Sequence, residues 1–85
     1  MHRLRADVSA CAVDDGMVLL DERVGRYWQL NGTGALVVRS LLDGATPAQI
    51  VERLAATRPV TRERVAADVT ALVSHLVRER LVSES

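Results

Sequence analysis

The chain has 85 residues, of which 48% are hydrophobic; this length supports one small domain, spanning residues 1–85, and excludes a second. Eleven basic and eleven acidic residues give a net charge of zero, which argues against a nucleic-acid-binding protein and against a polybasic membrane anchor. The single cysteine excludes an internal disulfide, and because no apolar run resembles a bilayer-spanning segment or a signal peptide, we expect a cytoplasmic protein that does not bind membranes.

The first third of the chain has the sequence pattern of β-strands joined by tight turns. Three short segments rich in small, aliphatic or aromatic residues predict strands at residues 6–13, 17–21 and 26–30. The sequences DDG and ERVG between them each contain a glycine, which adopts the positive φ that tight turns require. Two such turns in series predict a three-stranded antiparallel meander.

The remainder of the chain has three segments with helical signals. Asn31 is suited to cap the first helix, and a capping box that begins at Thr46, with proline at the first helical position, starts the second. Thr61 is suited to cap the third and longest helix, which is predicted over residues 62–80. Three strands followed by three helices predict an α+β fold that is similar to a winged helix-turn-helix with the sheet placed first.

No set of residues in the sequence has the spacing of a catalytic or metal site. His2 lies near the N-terminus, where we expect fraying, and His75 lies on the polar flank of the third helix. Cys11 falls in a predicted strand, where a lone cysteine is usually a small buried side chain. The GTG sequence at residues 32–34 lacks the third glycine of a dinucleotide fingerprint and the lysine of a P-loop. We therefore expect no enzymatic activity, no cofactor and no metal.

The third predicted strand lies at an edge of the meander and carries the only two aromatic residues of the chain, Tyr27 and Trp28. Because side chains alternate along a strand, Trp28 and Leu30 are predicted to face the helices and Tyr27 to face outward. The strand has neither a proline nor an acidic residue to protect its edge. An unprotected edge of this kind can accept a peptide as an additional strand.

The third predicted helix has a wider apolar arc than docking against one partner requires. Its central stripe consists of Val65, Val69, Leu72 and Leu76. Two interpretations remain open, a central helix with a broad core face or a helix that also contacts a ligand beside the third strand. Under the second interpretation, Val69→Asp is expected to abolish peptide binding because it places a charge in an apolar groove.

The order of the sequence motifs is similar to that of the PqqD family. LLDERVGRYWQLNGTGALVVRSLLDG is followed by TPAQIVERLA and by a final helix that ends in RERLV. The resemblance covers about residues 8–82, and its most distinctive part is residues 20–31. It implies a peptide-recognition domain that binds the leader of a ribosomally synthesised precursor peptide, as an antiparallel strand along the third strand and against the third helix.

Carried onto this sequence, the resemblance implies a binding site formed by the third strand, the turn before it and the first half of the third helix. The implied residues are Val24, Arg26, Tyr27, Trp28, Gln29, Leu30, Arg64, Val65, Asp68, Val69 and Leu72. Arg64 and Asp68 are expected at the rim, where charges affect specificity more than affinity. The implied partners are a precursor leader peptide and a separate leader peptidase of the cysteine-protease type, as in lasso-peptide pathways.

Three alternative functions remain open. A carrier for a radical-SAM peptide maturase, as in pyrroloquinoline quinone biosynthesis, would belong to the same family. A DNA-binding winged-helix regulator would use Arg62 and Arg64 of the third helix, but Glu63 and Asp68 accompany them and the net charge is zero. A structural subunit of an enzyme complex would need no ligand of its own.

Overall fold

The computed structural model describes residues 2–84, which form five strands and three helices. The strands are β1 (His2–Leu4), β2 (Val8–Val13), β3 (Gly16–Asp21), β4 (Arg26–Asn31) and β5 (Val82–Glu84). The helices are α1 (Gly32–Leu42), α2 (Pro47–Thr57) and α3 (Arg62–Arg78). The predicted α+β fold, a three-stranded antiparallel sheet followed by three helices, is confirmed.

The main sheet has the strand order β2–β3–β4, and both pairs are antiparallel. Asp14 and Asp15 form the two-residue turn between β2 and β3, because Val13 pairs with Gly16. Gly25 ends the turn between β3 and β4 with a φ of 66°, a conformation that L side chains rarely adopt. The strand β4, which is the third strand predicted from the sequence, therefore lies at an edge of this sheet.

The helix starts are fixed by the capping side chains that the sequence predicts. The side chain of Asn31 accepts a hydrogen bond from the backbone N–H of Gly34 at 2.8 Å. At the start of α2, the Thr46 hydroxyl accepts from the Gln49 N–H at 3.1 Å, and the Gln49 side chain accepts from the Thr46 N–H at 2.9 Å. At the start of α3, the Thr61 hydroxyl accepts from the Arg64 N–H at 3.2 Å. Because Asn31 is both the last residue of β4 and the cap of α1, the edge strand leads directly into the first helix.

A second, two-stranded sheet joins the two ends of the chain and was not predicted. β1 pairs with β5, so that Leu4 lies opposite Val82. Arg80 makes this possible, because its φ of 61° reverses the chain after α3 and the Leu81 N–H donates to the carbonyl of Leu76. The expectation that His2 lies in a frayed terminus is wrong, since His2 belongs to β1 and is buried.

The core consists of two hydrophobic clusters that meet at one residue of α3. The first lies between the main sheet, α1 and the residues around β5; it contains Val8, Met17, Leu19, Ala35, Val38, Leu76, Leu81 and Val82. The second lies among the three helices; it contains Val37, Leu41, Ala45, Ile50, Leu54, Val65 and Val69. Leu72 is partly buried and packs against both clusters. The broad apolar arc of α3 is therefore largely explained by its contacts with two parts of the core.

Asp21 stabilises the turn that leads into β4, and this contribution is expected to depend on pH. The side chain is buried and accepts hydrogen bonds from the backbone N–H of Arg23 at 3.1 Å and from its guanidinium at 3.0 Å. The side-chain hydrogen bond from Arg23 holds the pKa of Asp21 below its ordinary value of 3.8. The stabilisation is therefore complete above pH 3.8 and is lost as the pH falls through the lower, folded-state pKa.

We accordingly expect Asp21→Asn to unfold at a lower urea concentration than the wild-type protein at neutral pH. The difference between the two midpoints should shrink when the titrations are repeated below pH 3.8. Glu22→Gln, a matched substitution at the exposed neighbouring residue, should leave the midpoint nearly unchanged at both pH values. A midpoint difference for Asp21→Asn that is equally large in acid would rule out the proposed role of the carboxylate.

Candidate peptide-binding site

The structure shows which residues of β4 direct their backbone N–H and C=O groups toward the open edge of the sheet. A Cβ built on Gly16 would collide with the carbonyl oxygen of Leu30, so this carbonyl points toward β3. Neighbouring residues of an antiparallel strand direct their N–H and C=O groups to opposite sides. We infer that Trp28 and Leu30 bond to β3, whereas the N–H and C=O groups of Tyr27 and Gln29 point away from the sheet.

A cavity of about 380 Å3 lies beside this edge, between β4, the start of α1 and the middle of α3. The lining residues from β4 and α1 are Gln29, Leu30, Asn31, Thr33, Gly34 and Val37. α3 contributes Asp68, Val69 and Leu72, and Leu72 is next to both others on the helix surface because it follows them by four and three residues. The apolar part of the cavity wall comes from Leu30, Val37, Val69 and Leu72, and Asp68 is the charged side chain among its lining residues.

A second depression, of about 620 Å3, continues from the cavity around the end of β4. The two share Gln29, Leu30 and Asn31. The second depression also reaches Asp14 and Asp15 in the turn between β2 and β3. The acidic turn therefore lies near the end of β4, on the side of that strand where β3 is.

At the opposite end of β4, Trp28 forms a small cluster with two basic side chains. The ring of His75 lies edge-on to the Trp28 ring, with 5.2 Å between centroids and 79° between planes. The guanidinium carbon of Arg26 lies 4.9 Å from the centre of the Trp28 ring, a distance typical of a cation–π contact. Trp28 and Leu30 share the face of the sheet that is turned toward the helices, as predicted, and both are partly buried.

The structure brings together five of the eleven residues predicted for the site. Gln29, Leu30, Asp68, Val69 and Leu72 line one cavity. Arg26 and Trp28 lie next to it at the far end of β4.

The remaining four predicted residues lie outside this cavity. Tyr27 is 72% exposed, as its predicted outward orientation requires, and Val24 is 61% exposed in the turn before β4. Arg64 is exposed at the start of α3. Val65 is buried in the cluster among the three helices.

Comparison with known proteins identifies the family. The profile of the family described as Coenzyme PQQ synthesis protein D (PqqD) matches residues 16–82, which is most of the chain. The chain belongs to the PqqD family. The resemblance inferred from the sequence motifs is thereby confirmed.

Two solved structures share the fold of this PqqD-family chain. One is described as lasso peptide synthetase B1 complexed with the leader peptide; it is 43% identical, with a TM-score of 0.91 and 98% of each chain covered. The other, TbiB1 in complex with the TbiA(beta) leader peptide, is 26% identical, with a TM-score of 0.87 and coverage of 98% of this chain and 96% of that chain. No curated protein sequence matches the chain.

Several residues that line the cavity of this PqqD-family chain were not predicted from the sequence. Asn31, Thr33, Gly34 and Val37 come from the end of β4 and the start of α1. Their signal was the NGTG sequence, in which Asn31 was interpreted only as a helix cap and GTG was set aside because it lacks the features of a phosphate-binding motif. His75, which contacts Trp28 beside the cavity, was also not predicted for the site, although it follows Leu72 by three residues and is therefore next to it on the helix.

Cys11 and His75 are on opposite faces of the main sheet of the PqqD-family chain. Cys11 pairs with Val18 and is exposed on the outer face, so the expectation of a buried cysteine is wrong. The β2 strand is an edge with little packed against it, which explains the exposure. His75 contacts Trp28 on the helical side. The two side chains therefore do not form a catalytic pair.

The described residues give no indication of a metal site or a membrane span. Between residues 2 and 84, no group of three or more His, Cys, Asp and Glu side chains is placed to hold a metal ion. Within the same range, none of the helices combines the length and the apolar character that a membrane crossing requires.

Proposed function

We propose that this PqqD-family protein binds the leader region of a ribosomally synthesised precursor peptide and presents it to a maturation enzyme. The observation that carries this proposal is an unpaired strand edge with a partly apolar cavity beside it, formed by β4, α1 and α3. The chain is also 43% identical, over 98% of its length, to a lasso peptide synthetase B1 that was solved with a leader peptide.

The leader is proposed to add to the main sheet as a fourth strand, antiparallel to β4. The outward N–H and C=O groups of Tyr27 and Gln29 supply hydrogen bonds that do not depend on the leader's side chains. An apolar leader side chain enters the cavity between Leu30, Val69 and Leu72. At about 25 cal/mol per Å2, one buried aliphatic or aromatic side chain contributes a few kcal/mol, which offsets part of the cost of ordering the leader.

The eleven residues predicted from the sequence have different roles in this proposal. Gln29, Leu30, Asp68, Val69 and Leu72 form the cavity, and Arg26 and Trp28 extend it along the strand. Tyr27 contributes its backbone. Val24, Arg64 and Val65 lie farther away. Val65 supports the position of α3 from within the core, whereas Arg64 and Val24 contact only those leader residues that extend beyond the cavity.

The proposed partner enzyme is a leader peptidase of the cysteine-protease type, acting with this protein in the cytoplasm. This protein would be a non-catalytic recognition module, with residues 1–85 as one binding domain that uses no cofactor. Its outer sheet face and α2 lie away from the cavity, so a bound leader leaves them accessible to the enzyme. A radical-SAM maturase is the alternative partner, since the matching family profile carries the name of a coenzyme PQQ synthesis protein.

A titration with the leader peptide of the 43%-identical lasso peptide synthetase B1 tests the proposal. We expect saturable one-to-one binding by calorimetry, with an affinity that changes less than about tenfold between low and physiological salt. DNA binding through six or more phosphate contacts would instead weaken by about a thousandfold or more over the same range. Absence of peptide binding together with salt-sensitive binding of duplex DNA would replace this proposal with the winged-helix regulator.

A further inference from the structure

Charge is distributed unequally along the groove that contains the cavity and the Trp28 cluster. Asp68 lines the cavity beside Asn31, and Asp14 and Asp15 line the adjoining depression. The other end of the groove carries Arg26, stacked on Trp28. The groove is therefore acidic where β4 ends and basic where β4 begins.

The other charged side chains near the groove do not cancel this difference. Arg23 is bonded to Asp21 at 3.0 Å, so Asp21, which pairs with Arg26 across the sheet, already has a cationic partner. Arg64 lies one helical turn before Asp68 and has the opposite charge, but it is not among the residues that line the cavity. Arg78 and Glu79 are adjacent at the end of α3 and have opposite charges.

The direction of a bound strand decides which end of the peptide meets the acidic end of the groove and which meets the basic end. A segment antiparallel to β4 begins near Asn31 and ends near Arg26. We propose that the groove selects segments in which a basic residue precedes, and an acidic residue follows, the apolar side chain that fills the cavity. This inference rests on the proposed function, because it assumes that a peptide pairs with β4.

The alternation of side chains along a strand sets the spacing. Leu30 and Trp28 are two residues apart on the face turned toward the helices. A guest side chain opposite Leu30 enters the cavity, so the guest side chain two positions later lies opposite Trp28 and within reach of Arg26. The guest side chain two positions earlier lies beyond Asn31, at the end of the cavity that Asp68 lines. The preferred order is basic, any residue, apolar, any residue, acidic.

Two synthetic peptides of identical composition test the charge order. Each carries a central leucine in an otherwise neutral extended segment; one has lysine two positions before and glutamate two positions after it, and the other has these two exchanged. We expect the lysine-first peptide to bind about fivefold more tightly in fluorescence anisotropy at low salt, because it forms two partly exposed ion pairs that contribute up to about fivefold each. The preference should decrease as salt is added.

Charge-reversed protein variants complete the test. Arg26→Glu with Asp68→Lys should favour the glutamate-first peptide, and Glu52→Lys, a charge reversal on α2 away from the groove, should leave the wild-type preference intact. If both peptides bind equally, or the wild-type protein favours the glutamate-first peptide, the charge-order inference is wrong although the groove still binds peptides. If neither peptide binds and random phage-displayed segments give no binders either, the proposed function fails as well.

Discussion

Replacing Gln29 with proline is expected to weaken leader-peptide binding at least about tenfold while the protein remains folded. The backbone N–H of Gln29 points toward the open edge of β4, so proline removes a hydrogen bond to the bound strand and places its ring where that strand must approach. The ladder between β3 and β4 keeps its bonds, because Trp28 and Leu30 supply them. Calorimetric titration of the variant with the leader peptide measures the loss.

Ala10→Pro provides the matched control on the opposite edge of the same sheet. Ala10 is exposed in β2, and its register predicts that its N–H also points away from β3. The two proline variants should have similar circular dichroism spectra, and only Gln29→Pro should lose affinity. Unchanged affinity in a folded Gln29→Pro protein would show that the leader does not pair with β4, whatever the cavity binds.

The helices and the main sheet were predictable because their signals are local. Asn31, Thr46 and Thr61 each cap the helix that the sequence assigns to them, since a capping side chain bonds to a backbone N–H only three residues ahead. The edge position of β4 was also predictable, because the tight turns that determine it depend on residues close together in the sequence.

Features that depend on contacts between distant parts of the chain were not predictable. β1 and β5 have three residues each, too few for a periodic pattern, and they pair across nearly the whole sequence. The burial of His2 follows from that pairing. The exposure of Cys11 follows from the absence, among the described residues, of an element packed on the outer face of β2, which no local pattern reveals.

Only part of the candidate site could be predicted, because only part of it depends on local sequence. Edge position and strand alternation identified the contribution of β4 from its own sequence. The contribution of α1 arises because the chain turns at Asn31 and places Thr33, Gly34 and Val37 beneath the groove. Sequence periodicity also gave α3 one apolar stripe, but it did not separate Val65, which is entirely within the core, from Leu72, which lies between the core and the cavity.

Val69→Asp is expected to unfold much of the protein, which changes what this substitution can test. Val69 lines the cavity, but it is only 2% exposed and belongs to the cluster among the three helices. Burying an unpaired carboxylate there costs on the order of 4 kcal/mol. The total stability expected for a domain of this size is roughly 4–13 kcal/mol, so urea denaturation should show a much lower midpoint or no folded baseline.

Val77→Asp is the matched control, with the same substitution on the same helix at a side chain that is 40% exposed. Its cost should stay below about 1 kcal/mol, including the unfavourable interaction of a carboxylate with the C-terminal end of α3. Loss of leader binding by Val69→Asp would then report unfolding rather than a blocked groove, which is why the edge substitution at Gln29 is the better test of binding. A Val69→Asp protein that unfolds at the wild-type urea concentration would place Val69 outside the core and make it a groove residue alone.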